Sequence, residues 1–169
     1  MKKIVTIVVL ALMSTATYAQ QGSAYIGGAV AFGGDQWKVG PEIGTWLKDD
    51  IQLGAVLSFG GSDIEGSKTT DIAPHLYIRK WWPVGEKFSL YAGLNARYVS
   101  SKSETGGTST TTDYFDAFLD AGFAYAVAER WGIVGRVGSL GYIQEDFKLD
   151  FNMSPQSLFN VGIYYTFKQ

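Results

Sequence analysis

Between residues 51 and 60, Ile51, Leu53, Ala55, Leu57 and Phe59 alternate with Gln52, Gly54, Ser58 and Gly60. A β-strand turns successive side chains to opposite faces, so this stretch makes a strand with one face for lipid or a core and the other for water. The same period recurs along the chain. In 88–100, Phe88, Leu90, Ala92, Leu94, Ala96 and Tyr98 oppose Ser89, Tyr91, Gly93, Asn95 and Arg97. In 114–128, Phe115, Ala117, Leu119, Ala121, Phe123, Tyr125 and Val127 oppose Asp116, Phe118, Asp120, Gly122 and Ala124. The last segment sets Phe159, Val161, Ile163, Tyr165 and Phe167 against Asn160, Gly162, Tyr164 and Thr166.

Eight strands are expected, at about 23–32, 36–47, 51–60, 70–81, 88–100, 114–128, 131–141 and 157–167. An even number of antiparallel strands can close on itself, and the predicted fold is all-β: an eight-stranded antiparallel up-and-down transmembrane β-barrel. Short connections at Lys48–Asp50, Pro83–Lys87 and Glu129–Arg130 fall at one end. Longer polar loops are expected at Gly61–Thr69, Ser101–Asp113 and Gln144–Gln156, with a tight hairpin at Gly33–Asp35. Each segment approximates the 9–11 residues that a tilted strand uses to cross a bilayer. Aromatic residues collect at both ends. Tyr25, Trp46, Trp81, Trp82, Phe88, Trp131, Tyr165 and Phe167 fall near the short turns; Phe32, Trp37, Phe59, Tyr98, Tyr114, Phe115 and Tyr142 fall at the other rim. They predict two aromatic girdles, with Trp46, Trp81, Trp82, Trp131 and Phe167 marking the first. A soluble lipocalin-like barrel would use the same alternation with its faces reversed.

Composition narrows the choice. The chain has 21 Gly, 15% aromatic residues and no Cys, which favours tight turns and strands and excludes disulfides and thiolate metal sites. Lys2 and Lys3, the apolar run from Ile4 to Met13 and the small-residue site Thr17-Tyr18-Ala19 predict a secretory signal peptide over residues 1–19, leaving 20–169 as the barrel with no periplasmic domain. Loss of that leader takes the net charge from −2 to about −4, which offers nothing to nucleic acid.

With the apolar stripes turned to lipid, the inward face carries Glu42, Arg79, Arg97, Asp116, Asp120 and Arg136, together with Gln52, His75, Asn95 and Asn160. Charges in a narrow lumen need partners, because an unpaired buried charge costs several kcal/mol. A salt-bridge network that plugs the barrel is therefore expected, with a narrow ion path as the alternative use of the same charges. Strand glycines such as Gly44, Gly54, Gly93 and Gly122 share that face and make room for long Arg and Tyr side chains. His75, the single histidine, has no Gly-x-Ser-x-Gly elbow to serve, so a hydrogen-bonded structural role is expected and not catalysis. Glu145, Asp146 and Asp150 form an acidic loop, and neither a metal nor a cofactor is expected.

The opening strand Ala24-Tyr25-Ile26-Gly27-Gly28, the leader ending Tyr18-Ala19-Gln20 and the closing Phe159-Asn160-Val161-Gly162-Ile163-Tyr164-Tyr165-Thr166-Phe167 resemble the small outer-membrane barrels that include OmpA-type transmembrane domains and OmpX-like proteins. In that family a closing strand with a terminal aromatic directs insertion by the barrel-assembly machinery; here Lys168 and Gln169 follow the aromatic. The resemblance implies a non-enzymatic protein in the outer membrane of a two-membraned bacterium, surrounded by outer-membrane lipid. Its role would be structural or adhesive, through surface loops such as the Ser/Thr-rich 101–113 meeting an unknown ligand. A narrow porin is the alternative.

Overall fold

The computed structural model describes residues 22–64, 66–143, 146–151 and 159–167, the side chains at 143, 150, 151, 159 and 160 excepted. The expected signal peptide lies outside the described residues, as do the Asn160 side chain, Glu145 and much of the expected 144–156 loop. Nine strands run in chain order: β1 (Ala24–Gly33), β2 (Gln36–Lys48), β3 (Ile51–Ile64), β4 (Ser67–Pro83), β5 (Phe88–Thr105), β6 (Thr108–Ala126), β7 (Trp131–Ile143), β8 (Asp146–Phe151) and β9 (Phe159–Thr166).

Every pairing is antiparallel and, from β1 to β7, between sequence neighbours. The ring then closes through β9, which pairs β7 from Trp131↔Tyr165 to Gly135↔Val161 and β1 from Tyr25↔Thr166 to Phe32↔Phe159. The result is an eight-stranded up-and-down barrel. Its eighth position is shared: β8 lies on the same edge of β7 as β9, against Gly138–Ile143. The expected 144–156 loop thus contains a strand, and the strand expected at 157–167 is only the lower part of that edge.

Two more expected loops are largely strand. Residues Gly61–Ile64 and Ser67–Thr69 continue the β3–β4 ladder to Ile64↔Ser67, and Ser101–Asp113 continues β5–β6 to Thr105↔Thr108. The polar Ser and Thr residues look like loop, but β-branched threonine suits an extended backbone wherever a neighbouring strand supplies hydrogen bonds. The turn then needs only Gly106 and Gly107, both at positive φ (58° and 84°), the geometry that joins two twisted strands in a two-residue hairpin. In consequence β4, β5 and β6 have 17, 18 and 19 residues, well beyond the about 10 that cross a bilayer.

The alternation sorts the faces. Leu76, Leu94, Leu119 and Ile163 are all more than half exposed on the outside of the ring, whereas Glu42, Gln52, Arg79, Asn95, Asp116 and Asp120 are buried within it. An apolar exterior around a polar interior is the inverse of a soluble barrel. In β7 a bulge beside Ala121/Gly122 shifts the register by one residue, so that Arg136 points inward, Ser139 is buried, and Leu140 and Tyr142 face out.

Candidate functional site: the polar lumen

Period two brings the polar side chains of β2 to β7 and β9 onto one axis, and the register decides which of them meet. Glu42 and Tyr164 occupy positions on either side of Gly27, since Gly27 pairs with both. The Glu42 carboxylate accepts from Tyr164 Oη at 2.8 Å on Oε2 and from the Tyr77 hydroxyl on Oε1. Arg79 Nη1 lies 3.7 Å from Oε1, and Tyr25 and Tyr77 share a hydrogen bond of 2.5 Å between their hydroxyls. The Arg79 guanidinium stacks over the Tyr77 ring at 3.8 Å and lies 4.7 Å from the Tyr91 ring centroid. One buried carboxylate is therefore surrounded by phenolic donors and one arginine, the arrangement that makes a charge tolerable away from water.

A second cluster lies higher, toward the long hairpins. Arg97 and Asp116 are directly paired across β5 and β6, and both Nε and Nη2 of Arg97 donate to Oδ2, at 2.9 and 2.5 Å. Asn95 Nδ2 donates to Asp120 Oδ1 at 2.8 Å, and Tyr91 Oη donates to Oδ2 at 3.2 Å. His75 Nε2 meets Asn95 Oδ1 at 2.8 Å, with its ring 5.8 Å from those of Tyr77 and Phe118. Between the clusters lies a cavity of about 120 Å³ lined by Lys38, His75, Arg79, Arg97, Asp120 and Arg136, among others.

Glycine makes these reaches possible. A Cβ on Gly44 would stand 2.1 Å from Tyr25 Oη, one on Gly54 2.2 Å from the same hydroxyl, and one on Gly122 2.5 Å from Tyr91 Cε1. The chain alternates glycine with large rings at paired positions, so each ring lies flat over a bare stretch of the neighbouring strand.

The structure joins Glu42 to Arg79 and Arg97 to Asp116, holds Asp120 through the neutral donors Asn95 and Tyr91, and places Arg136 at the cavity wall. Sequence reasoning missed Tyr77 and Lys38. Both could be found by counting in twos, Tyr77 from Arg79 and Lys38 from Glu42.

The girdle needs correction. Trp82, Trp131 and Phe167 are exposed on the outside, and Trp131 and Phe167 both pack edge-on to Tyr165 at 5.0 Å. Trp81 is instead buried inside the ring, its indole donating to Gln52 Oε1 at 3.1 Å, and Trp46 packs on it at 5.9 Å. Parity is the reason: Trp81 shares the face of Arg79, and Trp46 that of Glu42 and Gly44. Tyr25, placed at the same rim by the sequence, is also interior.

Residues 5–167 match the family model described as outer membrane protein beta-barrel domain. The chain belongs to this family. It is similar in structure to the N-terminal β-barrel domain of Pseudomonas aeruginosa OprF, at 17% identity and a TM-score of 0.65, with 87% of this chain and 100% of that chain covered. Neisserial surface protein A follows at 12% identity and 0.61, covering 86% and 96%. Ail, the attachment invasion locus protein of Yersinia pestis, matches at 15% and 0.56, covering 86% and 97%. No curated protein sequence matches this chain. This outer membrane β-barrel therefore resides in the bacterial outer membrane. In such barrels the short turns face the periplasm, which places Asp49–Asp50, Val84–Lys87 and Val127–Arg130 there and the long β3–β6 hairpins outside the cell.

Proposed function

We propose that this barrel is a non-enzymatic anchor for a surface-interaction sheet. The observation that carries the reading is the extension of β3, β4, β5 and β6 beyond the membrane as one continuous ladder, from Ile64↔Ser67 and Ser67↔Thr105 to Thr105↔Thr108. Ser67 Oγ bonds Thr105 Oγ1 at 2.8 Å and Ser103 Oγ at 3.3 Å, tying the two hairpins side to side. Pairing of β6 with β7 begins only at Ala117, so among the described residues no strand covers the second edge of Thr108–Asp113. An open edge rich in Ser and Thr presents hydroxyls and unpaired backbone groups to an external partner. The Yersinia protein with the same fold is itself named for attachment and invasion.

The polar lumen supports an anchor more than a pore, since Glu42 is paired with Arg79, Asp116 with Arg97, and Asp120 accepts from Asn95 and Tyr91. His75 is held by Asn95 between two aromatic rings, which suits packing and not proton transfer. Residues 1–19 serve as the export signal, and the barrel-assembly machinery inserts the chain into outer-membrane lipid.

The experiment replaces residues 101–112 with Asn-Gly, joining β5 to β6 at the membrane surface. The shortened barrel still folds and migrates anomalously on unboiled detergent gels, while bacteria bearing it lose attachment to host cells and matrix-coated surfaces. Attachment equal to that of the full-length barrel would overturn the reading.

A further inference from the structure

At the periplasmic end, below the Tyr25–Tyr77–Glu42–Tyr164 cluster, the barrel opens into a cavity of about 230 Å³. Its walls include Tyr25, Trp46, Trp81 and Tyr164, with Gln52 and Ser89 as polar groups among them. The hydroxyl cluster lies at its inner end.

Gln52 is 4% exposed and lines this recess. An indole N–H can only donate, so the bond from Trp81 Nε1 at 3.1 Å fixes which end of the Gln52 amide is oxygen. That turns the amide nitrogen away from Trp81, and no hydrogen bond joins it to another described residue. Gln52 lines the recess and its amide nitrogen has no acceptor among the described residues, so a molecule entering the recess can accept a hydrogen bond from it. The rim carries Glu86, Lys87, Glu129 and Arg130, two acids and two bases, so it favours neither a cation nor an anion.

A neutral molecule with an apolar face and hydroxyl acceptors meets all of these conditions at once. We propose that the periplasmic mouth binds a pyranose glycan, one sugar ring lying against Trp46 and accepting a hydrogen bond from the Gln52 amide. Rings of this kind combine a C–H face that packs on indole with hydroxyl or acetamido oxygens at the edge. The site is independent of the surface-interaction reading, because it lies at the opposite end of the barrel.

The test is a tryptophan-fluorescence titration of the refolded protein in an amine-oxide detergent, which carries no sugar headgroup to compete. Chitobiose stands for cell-wall glycan and maltose for nutrient glucan. At least one of the two gives a saturable change, and which one responds identifies the source. Gln52→Leu, which keeps the volume and removes the donor, raises the half-saturating concentration about tenfold, the effect of losing one hydrogen bond. Trp46→Ala abolishes the response, and Trp37→Phe at the extracellular rim leaves it unchanged; anomalous gel migration verifies that each variant is folded. If Gln52→Leu does not fold, the Trp46→Ala and Trp37→Phe pair decides alone. Absence of saturation with both sugars, or a folded Gln52→Leu protein that titrates like the parent, overturns the proposal.

Discussion

Tyr164 of β9 reaches across Gly27 of β1 to donate a 2.8 Å hydrogen bond to Glu42 of β2. The bond spans the strand at which the ring closes, so the last element to join is locked to the second by a charge-assisted contact. It exists because Gly27 has no side chain: a Cβ there would stand 2.6 Å from both Tyr164 Cδ1 and the Ile163 carbonyl oxygen. Gly27→Leu should therefore displace Tyr164 and lower stability by about 1–3 kcal/mol through overpacking. Tyr164→Phe removes only the hydroxyl and should cost about 1.5–3 kcal/mol, the value of a bond to a charged group. Urea unfolding in lipid vesicles measures both. Because they act on one contact, the double variant should cost less than the sum of the two.

Arg97 and Asp116 offer a cleaner charge experiment. The Asp116 side chain is 0% exposed and that of Arg97 21%. Arg97→Met strips the carboxylate of its paired cation, and the loss should fall near the low end for a broken buried pair, about 3 kcal/mol, because Arg97 retains some contact with solvent. Arg97→Met combined with Asp116→Leu removes both charges and should recover most of that loss. Recovery by the second substitution, measured in the same unfolding assay, separates an electrostatic penalty from damage to packing.

The hairpin tip makes a different demand. Gly106 and Gly107 have φ of 58° and 84°, a region that costs an L-residue about 1–2 kcal/mol. Replacing both with Ala should loosen the outer β5–β6 ribbon while leaving the membrane-embedded ladder intact. Amide hydrogen exchange is expected to speed up across Ser101–Asp113 and to stay unchanged across Leu90–Leu94 and Leu119–Phe123. Uniform acceleration over both regions would mean that the ribbon and the barrel unfold as one unit.

The fold was legible because alternation is robust: the inward position of Arg79 follows from the outward position of Ile78 by parity alone. The same counting places Trp81 and Trp46 inside, against the general preference of tryptophan for a membrane rim. Other features left no local trace. The β7 register shift is set by tertiary pairing, and no residue type between Arg136 and Ser139 announces it. The Ser/Thr-rich hairpins read as loops because composition reports polarity, whereas their state is decided by the partner strand. The lumen charges were visible as a set but not as pairs, since pairing depends on register, and a one-residue slip would part Arg97 from Asp116.

Transport gives the sharpest test of the lumen itself. Glu42, Tyr25, Tyr77 and Tyr164 form a hydrogen-bonded cluster below the central cavity, and Arg97 pairs with Asp116 above it. An eight-stranded barrel has little interior beyond what its side chains fill. In planar bilayers the intact protein should therefore show no discrete channel openings. Opening a path should require removing rings and not merely charges, because Tyr25, Tyr77 and Tyr164 are large side chains buried inside the ring. Glu42→Gln should stay silent, since Gln occupies the same space. Tyr25→Ala with Tyr77→Ala should admit small ions if the fold survives, which gel migration reports. Discrete openings in the intact protein would show that the side-chain plug moves as a unit, and the filled lumen could not then be a static anchor.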